Sequence, residues 1–187
     1  IEYKERTGKE FENKDLKSFG LVNDENNLSI AGALLADGYQ VYQSRVFCTR
    51  WNGLTKASGR IDALDDVEFE GNIIYLLKAG LDFVKRNSKK MWKKGPVYRV
   101  EYPEYPERAV QEALVNAIIH RDYSVVGSEV HVDIYDDRLE IYSPGGMYDG
   151  TFVQDLDPMN ISSSRRNPVI ADVFLSLIHI SEPTRLL

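Results

Sequence analysis

The chain has 187 residues, of which 43% are hydrophobic and 28% charged, and its formal net charge is −6. This composition is enough for an ordinary packed core in one domain or two small ones, and it argues against a strongly basic surface over the whole molecule. The single cysteine excludes an internal disulfide framework, and no run approaches the roughly 20 apolar residues that cross a membrane, so we expect a cytoplasmic globular protein without a membrane partner.

The first part of the chain, residues 1–65, is expected to be a small α/β connector region. Its residue pattern predicts a helix over residues 1–19, a loop at 23–27, a short apolar helix at 28–35 and a strand at 44–51. A larger domain is expected to begin at residue 66.

Residues 65–87 show apolar positions at helical spacing, which predicts a helix leading into the larger domain. The segment at residues 85–94 places six cations around Trp92. One interpretation is a nucleic-acid contact, since cations bind phosphates and an aromatic ring stacks on a base. We favour a solvated helix end, because cations suit the last turn of a helix and Gly95-Pro96 stops it.

A strand at residues 97–102 and a proline-flanked turn at 103–106 are predicted before the most informative helix of the chain. At about 100° of rotation per residue, Glu112, Asn116 and His120 fall on one stripe of this helix. The other side is apolar and comprises Val110, Leu114, Ala117 and Ile118. A carboxylate and a carboxamide one turn apart can hold a magnesium ion and a water against a phosphate chain, because Mg²⁺ prefers oxygen ligands and a carboxylate accepts a proton.

Two runs of alternating apolar and polar residues, 129–135 and 139–142, predict a β-hairpin after this helix. Pro144-Gly145-Gly146 then ends the second strand. Glycines just past a strand let backbone amides approach a ligand closely, where side chains would obstruct them. The helix stripe, the hairpin and the glycine turn are thus expected to face one cleft.

Two patterns near this cleft favour ordinary structural roles. His131 and Asp133 alternate along one strand and are candidate metal ligands, but we interpret them as the solvent side of the hairpin. The string at residues 120–122 invites comparison with a kinase catalytic loop, yet the glycine-rich loop, the lysine strand and the Asp-Phe-Gly motif of kinases are absent.

The residues at 112–123 and 130–146, together with Arg-Arg-Asn-Pro at 165–168, resemble an ATP-binding domain family found at the C-terminal side of RecG-like and Schlafen-AlbA-type bacterial regulators. That family is similar to the GHKL class of ATPases, which includes gyrase and the histidine kinases. The resemblance implies an α/β fold over residues 66–174, an α+β two-layer sandwich with helices packed on a mixed sheet. It also implies that residues 1–65 follow an AlbA-type domain outside this chain.

By this resemblance, the cofactors are ATP and Mg²⁺, with Asn116 as the Mg²⁺ ligand. Glu112 would orient or deprotonate the attacking water if hydrolysis occurs. Further nucleotide contacts would come from His120, Ser143, Gly145 and Gly146. Ser143 stands where the larger class usually has an aspartate that reads the adenine amino group, and a serine is a weaker reader. All 13 glycines lie at or before Gly150, so the second glycine-rich stretch of the nucleotide lid is missing.

Both ends of the chain indicate a fragment. It begins at Ile1 without an initiator methionine, and residues 175–187 are similar to the translation of a sequencing-library adapter. We therefore expect those last residues to be non-native and exclude them from functional reasoning. Before them, residues 162–166 would either touch the phosphates or form a flexible loop.

The favoured function is nucleotide binding with Mg²⁺, coupled to DNA binding in a bacterial transcriptional regulator, with hydrolysis not required. DNA would be contacted through domains outside this chain, and homo-oligomer formation stays open. The alternative is a degenerate scaffold that acts in protein association or DNA contact, and Ser143 favours it somewhat. A nuclease would need carboxylates outside this chain. No Gly-x-x-x-x-Gly-Lys-Ser/Thr motif is present, so the chain is not a helicase motor.

Overall fold

The computed structural model describes residues 8, 12–38, 41–56, 59–147, 150–151 and 165–179. Within these residues the helices are α1 (Asn13–Ser18), α2 (Ile30–Leu35), α3 (Ile73–Asn87), α4 (Glu107–Ile119) and α5 (Pro168–His179). The strands are β1 (Arg45–Trp51), β2 (Ala63–Glu70), β3 (Lys90–Lys94), β4 (Arg99–Pro103), β5 (Val130–Ile134) and β6 (Leu139–Tyr142). Of the helix predicted over residues 1–19, α1 is observed, and residues 1–7 and 9–11 lie outside the described part.

Four strands form one mixed sheet in the order β2-β1-β5-β6. The two central strands, β1 and β5, are parallel, with Val46 beside Val130, whereas β2 and β6 run antiparallel to their neighbours. The hairpin predicted from the alternating runs is thus observed as β5 and β6. Helices packed on this sheet give the two layers of an α+β sandwich, and the predicted fold class is confirmed. The boundary expected between residues 65 and 66 falls inside β2.

The hydrophobic core lies between the sheet and the helices α3, α4 and α5. Alternate residues of a strand point to one face, so each central strand gives a buried row to this core. Gly80 lets α3 approach α4 closely, because a Cβ there would lie 3.4 Å from the methyl groups of Leu114. The most buried core residues are Leu34, Val46, Cys48, Ile73, Leu76, Phe83, Leu114, Ile118, Val130, Val132, Ile134, Ile170 and Phe174.

The helix predicted over residues 65–87 is correct only for its second part. The first part belongs to β2, whose residues alternate between half-buried and exposed along the pairing with β1. Gly71 then turns the chain at a φ of 148°, and the Asn72 side chain accepts a hydrogen bond from the third helical amide of α3 at 2.8 Å. Phe69, whose spacing fitted a helix, lies on a strand because β1 provides its backbone partners.

The basic segment at residues 85–94 is a solvated helix end only in its first part, where Lys85 and Arg86 lie exposed in the last turn of α3. The favoured interpretation is wrong for residues 88–94. α3 ends at Asn87, because Ser88 adopts extended backbone with ψ of 148°, and the chain continues into β3. β3 pairs antiparallel with β4 as a separate two-stranded sheet. Gly95 lies in the turn between them, where its amide donates to the Tyr98 carbonyl at 3.0 Å. Strand pairing across this turn therefore overrides the helical preference of the lysines.

The last helix, α5, begins at Pro168, as the preference of proline for the first helical turn predicts. It packs against α4 and buries Ile170 and Phe174 in the core. Its first turn consequently lies beside the C-terminal end of α4. In the part of the chain that the structure describes, no helix combines the length and the apolar character needed to pass through a bilayer.

Candidate functional site

The stripe predicted on α4 is exposed to solvent. Glu112, Asn116 and His120 are exposed, whereas the apolar side of the helix is buried in the core. Among the described residues, no hydrogen bond or ion pair engages the side chains of these three residues. Within the part of the chain that the structure describes, the carboxylate, carboxamide and imidazole of this stripe are therefore accessible to a ligand.

The C-terminal end of α4 is held in place by three separate segments. A helix leaves its last carbonyls without partners inside the helix, and a buried carbonyl needs one from elsewhere. Each of three successive carbonyls has such a partner: Ser143 Oγ donates to Ala117 at 2.6 Å, the Tyr123 hydroxyl to Ile118 at 3.1 Å, and Asn167 Nδ2 to Ile119 at 2.7 Å. The turn after β6, the loop after α4 and the start of α5 thus meet at one helix end.

The glycine turn after β6 lies against this helix end. Gly145 has a φ of 115°, a region that favours glycine, and a Cβ added to it would lie 2.8 Å from the Cβ of Asp122. The amide of Asp122 also donates to the Pro144 carbonyl at 2.9 Å. Around Gly146, in contrast, a Cβ would meet nothing within 4 Å among the described atoms. The first glycine is therefore required by packing, and the second leaves open space for a ligand.

Asp122 and Arg166 form an ion pair that joins the glycine turn to the start of α5. Arg166 Nη1 lies 2.6 Å from Asp122 Oδ2, and its Nη2 donates to the Gly146 carbonyl at 2.7 Å. The other carboxylate oxygen of Asp122 accepts from the amide and the hydroxyl of Ser124. Hydrogen bonds from Ser124, and then the charge of Arg166, lower the pKa of Asp122. Asp122 is thus held ionised as a structural link.

Arg121 is a buried cation that organises the loop between α4 and β5. Its side chain is 2% exposed, and it donates to the carbonyls of Asp122 at 3.0 Å and Ser128 at 2.7 Å, with Val125 at 3.5 Å. Its guanidinium lies 4.8 Å from the centre of the Tyr123 ring. Burial lowers the pKa of Arg121 and raises that of Tyr123. In the string at residues 120–123, His120 is therefore the one residue whose side chain makes no hydrogen bond or ion pair with other described residues.

The donors present suit a magnesium ion that is shared with a phosphate chain better than a metal held by protein alone. No group of three or more His, Cys, Asp or Glu side chains among the described residues is arranged to hold a metal. Mg²⁺ usually keeps several waters and takes one or two protein oxygens plus phosphates. Asn116 and Glu112 supply such oxygens.

The metal reading of the hairpin is rejected, and so is the expectation that it has a plain solvent side. Asp133 is 6% exposed and accepts from Trp51 Nε1 at 2.7 Å and Lys56 Nζ at 3.1 Å. His131 stacks on Phe47 with ring centres 5.4 Å apart. Both residues are thus committed to contacts on the sheet face opposite the helices.

A groove of about 660 Å³ lies elsewhere, between the end of α3, the start of α4 and the β3–β4 hairpin. Its lining includes Leu81, Val84, Met91, Tyr102, Tyr105 and Val110. Gln111 of α4 also faces it, whereas Glu112 and Asn116 do not. This groove is consequently distinct from the predicted site.

The sequence indicated the α4 stripe and the glycine turn, and the structure brings Ser143, Gly145 and Gly146 to the C-terminal end of that helix. The sequence did not predict the ion pair of Asp122 with Arg166, or the hydrogen bond by which Asn167 caps α4. The only signal for them was the Arg-Arg-Asn-Pro string at residues 165–168, which the resemblance included without a role. The flanking residues 152–164 lie outside the described part.

Comparisons with known proteins agree with the resemblance. Residues 127–184 match the family described as "Putative ATP-dependent DNA helicase recG C-terminal", so the similarity to an ATP-binding domain of the RecG C-terminal type is confirmed over that stretch. The crystal structure of the DIP2311 protein from Corynebacterium diphtheriae matches 97% of this chain with a TM-score of 0.68 and 22% identity, which shows a shared fold. The chain spans 36% of that protein. A comparison with curated protein sequences found no match.

Proposed function

We propose that this chain is the nucleotide-binding part of a bacterial transcriptional regulator and that it binds ATP or a related nucleotide with Mg²⁺. The observation that supports this most is the α4 stripe. Glu112, Asn116 and His120 are exposed, their side chains make no hydrogen bond or ion pair with other described residues, and the end of their helix touches the glycine turn. The family match over residues 127–184 begins just before β5 and includes that turn.

Each side chain has a role that follows from its chemistry. The carboxamide oxygen of Asn116 is a hard ligand for Mg²⁺, which would neutralise phosphate charge when bound. Glu112, one turn earlier, can accept a proton from a water, so it is the candidate base if hydrolysis occurs. Ser143 donates its hydroxyl proton to the Ala117 carbonyl, yet its oxygen keeps lone pairs that can accept a hydrogen bond from the amino group of adenine.

The backbone at Gly146 is open to a phosphate or a ribose, because no atom of the described residues lies within 4 Å of a Cβ built there. His120 adds a ring nitrogen at the same end of the stripe. These groups lie on α4 and on the turn after β6, which the hydrogen bond of Ser143 holds together, so one ligand can touch both segments.

Coupling to DNA binding is the second half of the proposal. The end of α4 is joined to the β6 turn and to α5 by Ser143, Asn167 and the Asp122–Arg166 pair. A nucleotide that favours one arrangement of these joined segments shifts the population of conformations, and a switch needs no more than that difference in affinity. DNA contacts through domains outside the chain would then respond to the nucleotide.

The test is calorimetric titration of the chain with ATP in the presence of Mg²⁺. Asn116→Ala is expected to weaken binding by roughly 10- to 100-fold, the loss of one interaction with a charged group. Gln111→Ala is the matched control, because it removes a carboxamide from the groove side of the same helix. Glu112→Gln should retain binding and lower any turnover.

Three results would contradict the proposal: no heat from the unmodified chain, equal affinity in Asn116→Ala, or affinity that EDTA leaves unchanged. The first favours the degenerate scaffold that acts in protein association or DNA contact, whereas the second would place nucleotide binding away from Asn116 and the third would make it independent of Mg²⁺. Light scattering of the same samples, with and without nucleotide, decides whether two copies associate.

A further inference from the structure

The β3–β4 hairpin is the most exposed regular element in the described part of the chain. All ten residues of its two strands are exposed, including aromatic ones that a core normally buries. Trp92 is 60% exposed, Tyr102 49%, and Tyr98 in the turn 75%. None of these rings belongs to the hydrophobic core. A two-stranded sheet with this much exposed aromatic surface indicates a contact with a partner.

The two faces of the hairpin differ. Residues directly opposite in an antiparallel pair share a face, so Met91 and Tyr102 lie together, and both line the groove beside α3 and α4. The other face carries Trp92 opposite Glu101 and Lys94 opposite Arg99. Of these, Trp92, Lys94 and Arg99 take no part in the groove lining, whereas Glu101, and Lys90 at the start of the same strand, also line the groove. The second face is therefore basic and carries a tryptophan.

Charge on this segment opposes that of the rest of the chain. Residues 85–103 contain seven Lys or Arg and one Glu, whereas the remaining residues contain 16 cations and 28 carboxylates. Arg99 is paired with Glu101 at 2.5 Å. Among the described residues, no ion pair engages Lys90, Lys93 or Lys94. Free ammonium groups on a projecting element of an acidic protein form a local attraction for a polyanion.

We propose that the outer face of the β3–β4 hairpin binds single-stranded nucleic acid. Lys90 and Lys94 lie two residues on either side of Trp92 on the same strand, about 7 Å from it at the usual rise of a strand. This spacing lets a base stack on the indole while the flanking phosphates contact the ammonium groups, and an unpaired base exposes the ring face that stacking requires. The inference places a nucleic-acid contact in this chain itself, in addition to the domains outside it.

The test is fluorescence anisotropy of a labelled oligothymidylate of roughly 16 nucleotides titrated with the 187-residue chain. Trp92→Ala is expected to weaken binding by roughly 5- to 100-fold, and Trp92→Phe, which keeps a stacking ring, to retain most of it. Replacing Lys90 and Lys94 by alanine should weaken binding and reduce the slope of log affinity against log salt by about 1.4, or about 0.7 for each phosphate contact.

Matched controls separate this contact from general electrostatics and from misfolding. Replacing Lys14 and Lys17 on α1 by alanine removes the same charge and should leave both affinity and slope unchanged. Because the hairpin variants alter exposed residues, their melting temperatures should equal that of the unmodified chain. They should also bind ATP normally, so failure of this inference and failure of the proposed function are distinguishable.

Several outcomes would overturn the inference. The first is no binding of the oligonucleotide by the unmodified chain. The second is that Trp92→Ala and the double lysine variant both bind the oligonucleotide as tightly as the unmodified chain. If the chain binds a duplex as tightly as the single strand, and replacing Trp92 does not change the affinity, the hairpin acts only through nonspecific electrostatic attraction. Binding to vesicles that contain phosphatidylserine, with no binding to the oligonucleotide, would assign the face to an anionic membrane surface.

Discussion

Replacing Arg121 by methionine tests whether a buried cation fixes the loop that follows α4. The methionine keeps much of the side-chain volume but removes every donor, so the carbonyls of Asp122 and Ser128 lose bonds of 3.0 and 2.7 Å. A third contact, to Val125 at 3.5 Å, is at the limit of a hydrogen bond and adds little.

Opposing effects set the size of the change. The partly buried Ser128 carbonyl left without a donor costs about 1–3 kcal/mol. The Asp122 carbonyl keeps the Val125 amide as a donor at 3.2 Å, so its lost bond costs about 1 kcal/mol, and the lost cation–π contact with Tyr123 costs about 1 kcal/mol. Against this, removing a guanidinium that is 2% exposed relieves its desolvation, which the lowered pKa of Arg121 and the unpartnered Nε atom both indicate. The expected net loss in the free energy of unfolding is about 2–4 kcal/mol, or roughly 5–15 °C in melting temperature.

Urea unfolding followed by circular dichroism measures this change. Arg121→Lys is the informative companion, because an ammonium group cannot reproduce the planar fork that reaches separate carbonyls, and it should not restore stability. Arg60→Met, at an exposed position, is the control and should stay within about 0.5 kcal/mol of the unmodified chain. A loss below about 1 kcal/mol in Arg121→Met, or full stability in Arg121→Lys, would refute the reasoning.

Three further predictions concern the same region and the core. Gly145→Ala should lower stability by about 1–3 kcal/mol whether or not nucleotide is present, because of its φ of 115° and the 2.8 Å approach to Asp122, while Gly146→Ala should be nearly neutral in an unfolding titration. The pKa of Asp122 is lowered in the folded state from 3.8. The stabilisation by the ionised carboxylate is therefore complete above that value and is lost as pH falls below it. Asp122→Asn should make stability depend less on pH at the acid end of a pH series, where Asp65, whose pKa is also lowered, still contributes. Burial raises the pKa of Cys48 to about 12, so a thiol reagent at pH 8 should react with it only after unfolding, and rapid reaction in the native state would contradict this placement.

The sequence predicts α4 and the β5–β6 hairpin well because each repeats its own period. On α4, the apolar and polar residues separate into two stripes, and the structure buries one and exposes the other. In β5, alternate apolar residues form one buried row. Such patterns depend only on neighbours in the chain, so they can be read without knowledge of the fold.

The sequence predicts residues 65–72 and 88–94 poorly, because strands elsewhere in the chain decide their structure. β2 lacks strong apolar alternation, and its conformation depends on pairing with β1. β3 is rich in lysine, which favours helices, and becomes a strand through its pairing with β4. The ion pair of Asp122 with Arg166 connects residues that are 44 positions apart, and no local period encodes such a contact.

Some residues around α4 hold the helix end, and others are exposed without such contacts among the described residues. This difference determines which substitutions can report on ligand binding. Ser143, Asp122 and Asn167 each carry contacts that hold the helix end, so a loss of binding after their replacement has two causes that cannot be separated. Asn116 and Glu112 carry none among the described residues, and their replacement should leave the melting temperature unchanged. An Asn116→Ala variant with normal stability and weakened nucleotide binding therefore isolates ligand recognition from folding. If that variant instead melts earlier, the stripe supports the fold, and the basis on which it was assigned to a nucleotide fails.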